Sequence, residues 1–193
     1  MRFIGFYDYT VILTYLSLVS AVAGIMLSSQ GRFTAAILCL MFSGLCDGFD
    51  GAVARSKKNR TDDEKAFGIQ IDSLCDAVSF GLFPACWAYF YGLKGPVGMV
   101  IVSIYSLCAI IRLGFFNVLE GNRQRTEDGC NKFYRGMPVT TISMLLPLGH
   151  FLGMLLPEGV FIPLLHLLMA VAAFLFVLDF RVKKIQLTQL FKR

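Results

Sequence analysis

Polar residues are scarce along this chain and fall in a few short clusters, so the rest reads as apolar runs separated by turns. A bilayer core of about 30 Å is crossed by an α-helix of about 20 residues. Runs of that size cover residues 10–28, 33–54, 67–91, 97–119, 137–156 and 160–178. The pattern predicts an all-α polytopic membrane protein with six transmembrane helices, and residues 1–193 read as a single transmembrane domain. The turns at 29–32, 92–96 and 157–159 are short, the connections at 55–66 and 120–136 are longer and polar, and the tail at 179–193 is basic and mildly amphipathic. Ala21, Val22 and Ala23 imitate a signal-peptidase site, but the apolar run continues to Leu27 and only Arg2 is basic before it, so an uncleaved first helix is expected.

Composition agrees with that reading, since 56% of residues are hydrophobic and 16% charged, whereas a soluble domain carries about 25% charged residues. The net charge of +5 would suit nucleic acid, yet the basic residues sit in short loops between apolar runs. Membrane topology accounts for them, and no nucleic-acid partner is expected. One long connection carries Arg55, Lys57, Lys58, Arg60 and Lys65, the other Arg123, Arg125, Lys132 and Arg135, with Arg2 and the basic tail on the same side. The opposite side has only Arg32 and Lys94. The positive-inside rule then puts both termini and both long connections in the cytoplasm. The six cysteines form no C-x-x-C pair and read as small buried hydrophobes. Trp87, Tyr89 and Tyr91 are expected as an aromatic belt where the third helix leaves the membrane. His150 and His166, on apolar segments, are expected to be packed or interfacial.

Four aspartates change the picture. Asp47 and Asp50 lie in the last turns of the second apolar segment, and Asp72 and Asp76 in the first half of the third. Spacings of three and four place each pair on one helix face, and both pairs fall towards the same side of the membrane. Gly51, Ala54 and Gly68 share those faces and let a helix or ligand approach. A carboxylate in a membrane helix costs about 2.5–3.5 kcal/mol, so four without compensation cost on the order of 10 kcal/mol. Oxygen ligands converging from two helices suit Mg²⁺, Mn²⁺ or Ca²⁺ rather than zinc. Two such ions would balance four carboxylates and leave a site for a pyrophosphate.

The spacing Asp47-x2-Asp50-Gly51-x2-Ala54-Arg55, then Gly68-x3-Asp72-x3-Asp76, resembles the signature of the CDP-alcohol phosphotransferases, integral membrane enzymes of phospholipid synthesis. The resemblance implies six helices with both ends inside, a site open to the cytoplasm of the cell membrane, and transfer of a substituted phosphate from a CDP-linked donor, usually CDP-diacylglycerol, to an alcohol with release of CMP. It implies that Asp47, Asp50 and Asp72 hold metal, that Asp76 binds a second ion and acts as catalytic base, and that the ions are Mg²⁺ or Mn²⁺. Gly51 and Arg55 would contact the cytidine or pyrophosphate, Ala54 and Gly68 completing the motif. Thr14 and Thr61 are further candidates for contact with the nucleotide donor, Thr14 having simple back-bonding within its helix as the alternative. Homodimers are common in the family and one is expected here. The stretch from Arg55 to Gly68 is four residues longer than the family pattern has it, an insertion that falls in the polar connection.

Two further segments, Arg112-Leu113-x2-Phe116-Asn117-Val118 and Phe133-x2-Gly136-Met137-Pro138, are similar to motifs of the integral-membrane phosphatidylserine synthases. Tyr134 and Arg135 precede the glycine here, and Val139-Thr140 replaces the usual small residue and proline. The likeness implies L-serine as acceptor, with Arg112 and Arg135 for its carboxylate and Asn117 in the same acceptor site. Arg112 has an alternative in snorkelling to the interface. Glycerol 3-phosphate or an inositol phosphate is the rival acceptor and would favour more arginines around the pocket. A cation transporter is the rival from another class, but transporters place such carboxylates near the midplane in repeated halves, and these lie towards one face beside Gly51 and Arg55.

Overall fold

The computed structural model describes residues 5, 7, 9, 11–56, 61–126 and 133–183. Seven helices follow in order: α1 (Ile12–Ser29), α2 (Phe33–Ser56), α3 (Asp62–Asp76), α4 (Phe83–Tyr91), α5 (Pro96–Thr126), α6 (Ile142–Gly153) and α7 (Glu158–Val177). A two-stranded antiparallel ribbon joins β1 (Phe133–Arg135) to β2 (Arg181–Lys183).

The bundle is polar where it is closed and apolar where it is open. Thr14, Ser17, Ser28, Ser43, Ser79 and Ser143 are buried, while Leu16, Val19, Met26, Leu38, Leu45 and Phe49 are exposed. Small residues let backbones approach without lipid between them, and hydroxyls then bond across the seam. Ser43 Oγ donates to the Ser17 carbonyl at 2.9 Å, Ser17 Oγ returns a bond to the Ser43 carbonyl at 3.4 Å, and Ser20 Oγ donates to the Cys39 carbonyl at 3.0 Å. A Cβ at Gly24 would run into the Phe83 ring and one at Gly44 into Ser143, so these glycines are where α1 receives α4 and α2 receives α6.

Among the described residues, five helical stretches are long and apolar enough to cross a membrane: Ile12–Ser29, Phe33–Gly51, Asp62–Tyr91, Pro96–Leu119 and Gly159–Val177. The protein is a multi-pass membrane protein. The predicted fifth span is shorter than 137–156, comprising three residues of 3₁₀-helix, Val139–Thr141, and twelve of α6, together roughly 24 Å against a core of roughly 30 Å.

The third span begins five residues before the predicted boundary at 67. Thr61 caps α3 with a capping box: its Oγ1 accepts from the Glu64 backbone N–H at 3.2 Å, and Glu64 Oε2 accepts from the Thr61 N–H at 2.9 Å. Asp62, Asp63 and Glu64 also favour the positive end of the helix. The helix therefore starts in the polar connection. On the same side α5 continues two turns beyond residue 119 to Thr126.

Between α3 and α4 the rod is π-helical over Ala77–Leu82. Pro84 explains where the ladder breaks. In an α-helix its N–H would serve the Phe80 carbonyl, but proline has none and its ring crowds that oxygen. The Tyr105 hydroxyl donates to the Phe80 carbonyl instead, at 2.7 Å, and Ser106 Oγ donates to the Gly81 carbonyl at 3.3 Å. With the Ser73 to Asn117 bond at 2.6 Å, these ties set α5 antiparallel to the rod and bring Arg112 level with Cys75 and Asp76.

Trp87 corrects the expected aromatic belt. It is fully buried, stacked on Tyr91 at 4.9 Å and edge-on to His150 at 5.4 Å, with Nε1 donating to the Phe33 carbonyl at 3.1 Å. Tryptophan inside a helix bundle needs a partner for its N–H, and the first residue of α2 supplies one. His150 is packed as expected, its Nε2 3.1 Å from Thr34 Oγ1.

Candidate active site

Helix α2 projects Asp47 and Asp50 towards α3, and α3 answers with Asp72 and Asp76. One carboxylate oxygen each from Asp47, Asp50 and Asp72 lies within 4.8 Å of the other two. Asp76 falls outside that set of three, but its side chain meets Asp47 at hydrogen-bonding range, as Asp72 meets Asp50. Asp76 is 8% exposed. Carboxylates brought this close repel one another unless a cation stands between them. The donors are all hard oxygens from two rigid helices, so the residues fit a hard divalent ion, with Asp47, Asp50 and Asp72 as its holders. Asp76, set one step aside and shielded, is placed to take a proton or to share a second ion.

Thr14 joins this cluster from α1. Its Oγ1 lies 3.5 Å from Asp50 Oδ2 and the residue is 5% exposed, so the hydroxyl is turned to the aspartates rather than to its own helix. Gly51 and Gly68 are half-buried on the same two helices. The backbones of Ala54 and Arg55 continue α2, but their side chains lie outside the described residues. Thr61 is occupied in capping α3.

The acceptor candidates separate into two places. Asn117 Oδ1 accepts from Ser73 Oγ, one residue from Asp72, and so ties α5 to the aspartate-bearing helix α3. Arg112 is buried to 8% exposure and its Nε donates to the Met137 carbonyl at 3.1 Å. It lines a pocket of about 360 Å³ with Ile111, Phe115, Gly136, Phe176 and Asp179. Gly136 has φ +75°, and a Cβ there would come 3.1 Å from the Leu178 carbonyl and 3.6 Å from Arg112 Cζ, so glycine is needed for the turn and for room. Arg135 pairs with Arg181 in the ribbon; its side chain lies outside the described residues. Ser73 and Tyr105 carried no motif, and only the fold gives them a role.

The model of the CDP-alcohol phosphatidyltransferase family matches residues 9–180. That span runs from the approach to α1 to the end of α7 and holds both the aspartates and the Arg112 pocket. The chain belongs to the CDP-alcohol phosphatidyltransferase family. Among curated relatives of this phosphatidyltransferase, the CDP-diacylglycerol–serine O-phosphatidyltransferase of Mycobacterium tuberculosis is 35% identical over 127 residues, 65% of this chain and 43% of that protein. The protein of the same name from Saccharomyces cerevisiae is 36% identical over 110 residues, 55% of this chain and 38% of that one. The archaetidylserine synthase of Methanothermobacter thermautotrophicus is 33% identical over 136 residues, 70% of this chain and 54% of its own length. The chain thus spans about two-fifths to about half the length of these relatives.

Proposed function

We propose that this CDP-alcohol phosphatidyltransferase transfers the phosphatidyl group of CDP-diacylglycerol to the hydroxyl of L-serine, giving phosphatidylserine and CMP. The observation that carries the reading is the convergence of Asp47, Asp50 and Asp72 within a chain of this family. The serine-specific names of its relatives and the arginine-lined pocket on α5 support the acceptor. Bound Mg²⁺ or Mn²⁺ supplies neutralisation of the pyrophosphate and of the departing phosphate. Asp47, Asp50 and Asp72 hold it, and Thr14 steadies Asp50. Asp76 receives the proton of the serine hydroxyl as its oxygen bonds to phosphorus and the bond from phosphorus to the CMP oxygen breaks. Arg55 and Gly51 bind the nucleotide donor with Ala54 and Gly68 giving it room, and Arg112 with Arg135 takes the serine carboxylate. The test is a screen in which purified protein, CDP-diacylglycerol and Mg²⁺ or Mn²⁺ meet a panel of alcohols and CMP release is read. Release with serine is the expected result; release with glycerol 3-phosphate and none with serine overturns the acceptor while leaving the family.

The same reading has one domain over 1–193, six spans, both termini cytoplasmic, a homodimer in the cell membrane, and the aspartates opening to the cytoplasm. The charge asymmetry supports the orientation. Single cysteines at Asp63 and Gly121, in a variant lacking the native cysteines, should react with an impermeant thiol reagent only from the cytoplasmic side, and one at Lys94 only from outside. Labelling of Asp63→Cys in intact cells reverses the orientation.

A further inference from the structure

Among small alcohols serine stands apart because it carries a cation and an anion beside its hydroxyl, and the pocket on α5 holds one charge of each sign. Arg112 is held by its bond to the Met137 carbonyl, with Gly136 lying against the guanidinium. Asp179, two residues beyond the end of α7, lines the same pocket, and its charge acts on Arg112. The ribbon fixes this acid in place, because the Gly136 N–H donates to the carbonyl of Phe180, its neighbour, at 2.6 Å. Ile111, Phe115 and Phe176 supply apolar walls of the same pocket. At about 360 Å³ the space is at the small end of ligand pockets, which run from about 300 to 1,000 Å³. Arg112 is also level with Asp76 in the register of α5 against the rod.

Resting on the serine reading, we propose that Asp179 is a specificity-determining residue of the acceptor site: its carboxylate takes the ammonium of the amino-acid acceptor while Arg112 takes the carboxylate. The arrangement selects in both directions. It attracts a zwitterion at two points, and it sets a negative charge against any acceptor that carries a phosphate in place of the ammonium. An arginine alone would welcome glycerol 3-phosphate as readily as serine; Asp179 beside it makes the phosphate the worse ligand.

The experiment compares L-serine with 3-hydroxypropionate, which keeps the hydroxyl and carboxylate and lacks the ammonium, as competing ligands of the full chain, by KM and by competitive inhibition constant. Asp179→Asn is expected to raise the KM for serine at least about tenfold, the loss of one charge-assisted contact. The inhibition constant of 3-hydroxypropionate, the KM for CDP-diacylglycerol and kcat should stay within about twofold. Asp179→Glu should retain most of the preference for serine. A preference ratio measured on one preparation does not depend on the folded fraction, and Asp179→Ala is read the same way where the Asn variant does not fold. Serine turnover with an unchanged ratio in these variants overturns the proposal alone. Wild-type protein that turns over glycerol 3-phosphate and not serine overturns the serine reading, and the proposal with it.

Discussion

The rod formed by α3, the π-helical segment and α4 has two contrasting ends. Asp76, 8% exposed, faces other carboxylates; Trp87, fully buried and eleven residues on, faces Phe33, Tyr91 and His150. Both are buried, yet the first position gathers like charges that raise the energy of the fold and the second gathers rings that lower it. The aromatic end fastens α2, α4 and α6 so that the aspartate end can hold repelling groups at ligand distance. Stability and chemistry are thus divided along one helix.

The division implies that the two ends fail differently. Trp87→Ala should remove roughly 3–5 kcal/mol of stability by cavity formation, read as a large fall in the thermal midpoint in detergent, while the protein that remains folded keeps its KM for CDP-diacylglycerol. A changed KM at full folding would mean the aromatic end reaches the site. Asp47→Asn, Asp50→Asn, Asp72→Asn and Asp76→Asn should each lower turnover at least about a hundredfold, close to 2.7 kcal/mol, with the thermal midpoint held or raised because repulsion is relieved. Chelation should abolish CMP release reversibly, and full activity in excess chelator would remove the metal from the mechanism.

The π-helical segment joins the two ends and gives a sharper test. Tyr105→Phe leaves the Phe80 carbonyl without its donor, Pro84 being unable to replace it, at about 1–3 kcal/mol. Turnover should fall by a smaller factor than in the aspartate variants, because the segment begins at the residue after Asp76. Loss of stability with kcat untouched would show that the π turn serves packing alone. The smallest effect belongs to the start of the rod: Thr61→Ala should cost about 1 kcal/mol through the lost cap and leave both Michaelis constants unchanged. A selective rise in the KM for CDP-diacylglycerol would return Thr61 to the nucleotide site.

Much of this protein was legible in its residues. Apolar runs at membrane length, carboxylates three and four apart, and glycines on the same faces are local patterns, and helical periodicity turns them into positions without knowledge of any neighbour. The cap at Thr61 was legible too, since threonine followed three residues later by glutamate marks a helix start, but the polarity of the stretch made it read as a connection. Trp87 misled because an aromatic near a helix end has two uses, and nothing in its own helix tells lipid from the Phe33 carbonyl.

What only tertiary structure decided depends on groups far apart in the chain. The π-helical turn needs Tyr105 as well as Pro84, and its hydroxyl lies on another helix. The short span of α6, the Ser17 and Ser43 seam and the separation of Asn117 from the Arg112 pocket arise where helices distant in the chain meet. Asp179 is 67 residues from Arg112 in the sequence and lines the same pocket. The amino-acid sequence by itself determined which faces are apolar, where the carboxylates sit on them and where the chain turns, because those follow from backbone geometry and solvation. It could not determine which polar groups meet across the bundle, because hydrogen bonds and charge pairs there are chosen by packing, once lipid-facing side chains have excluded every other partner.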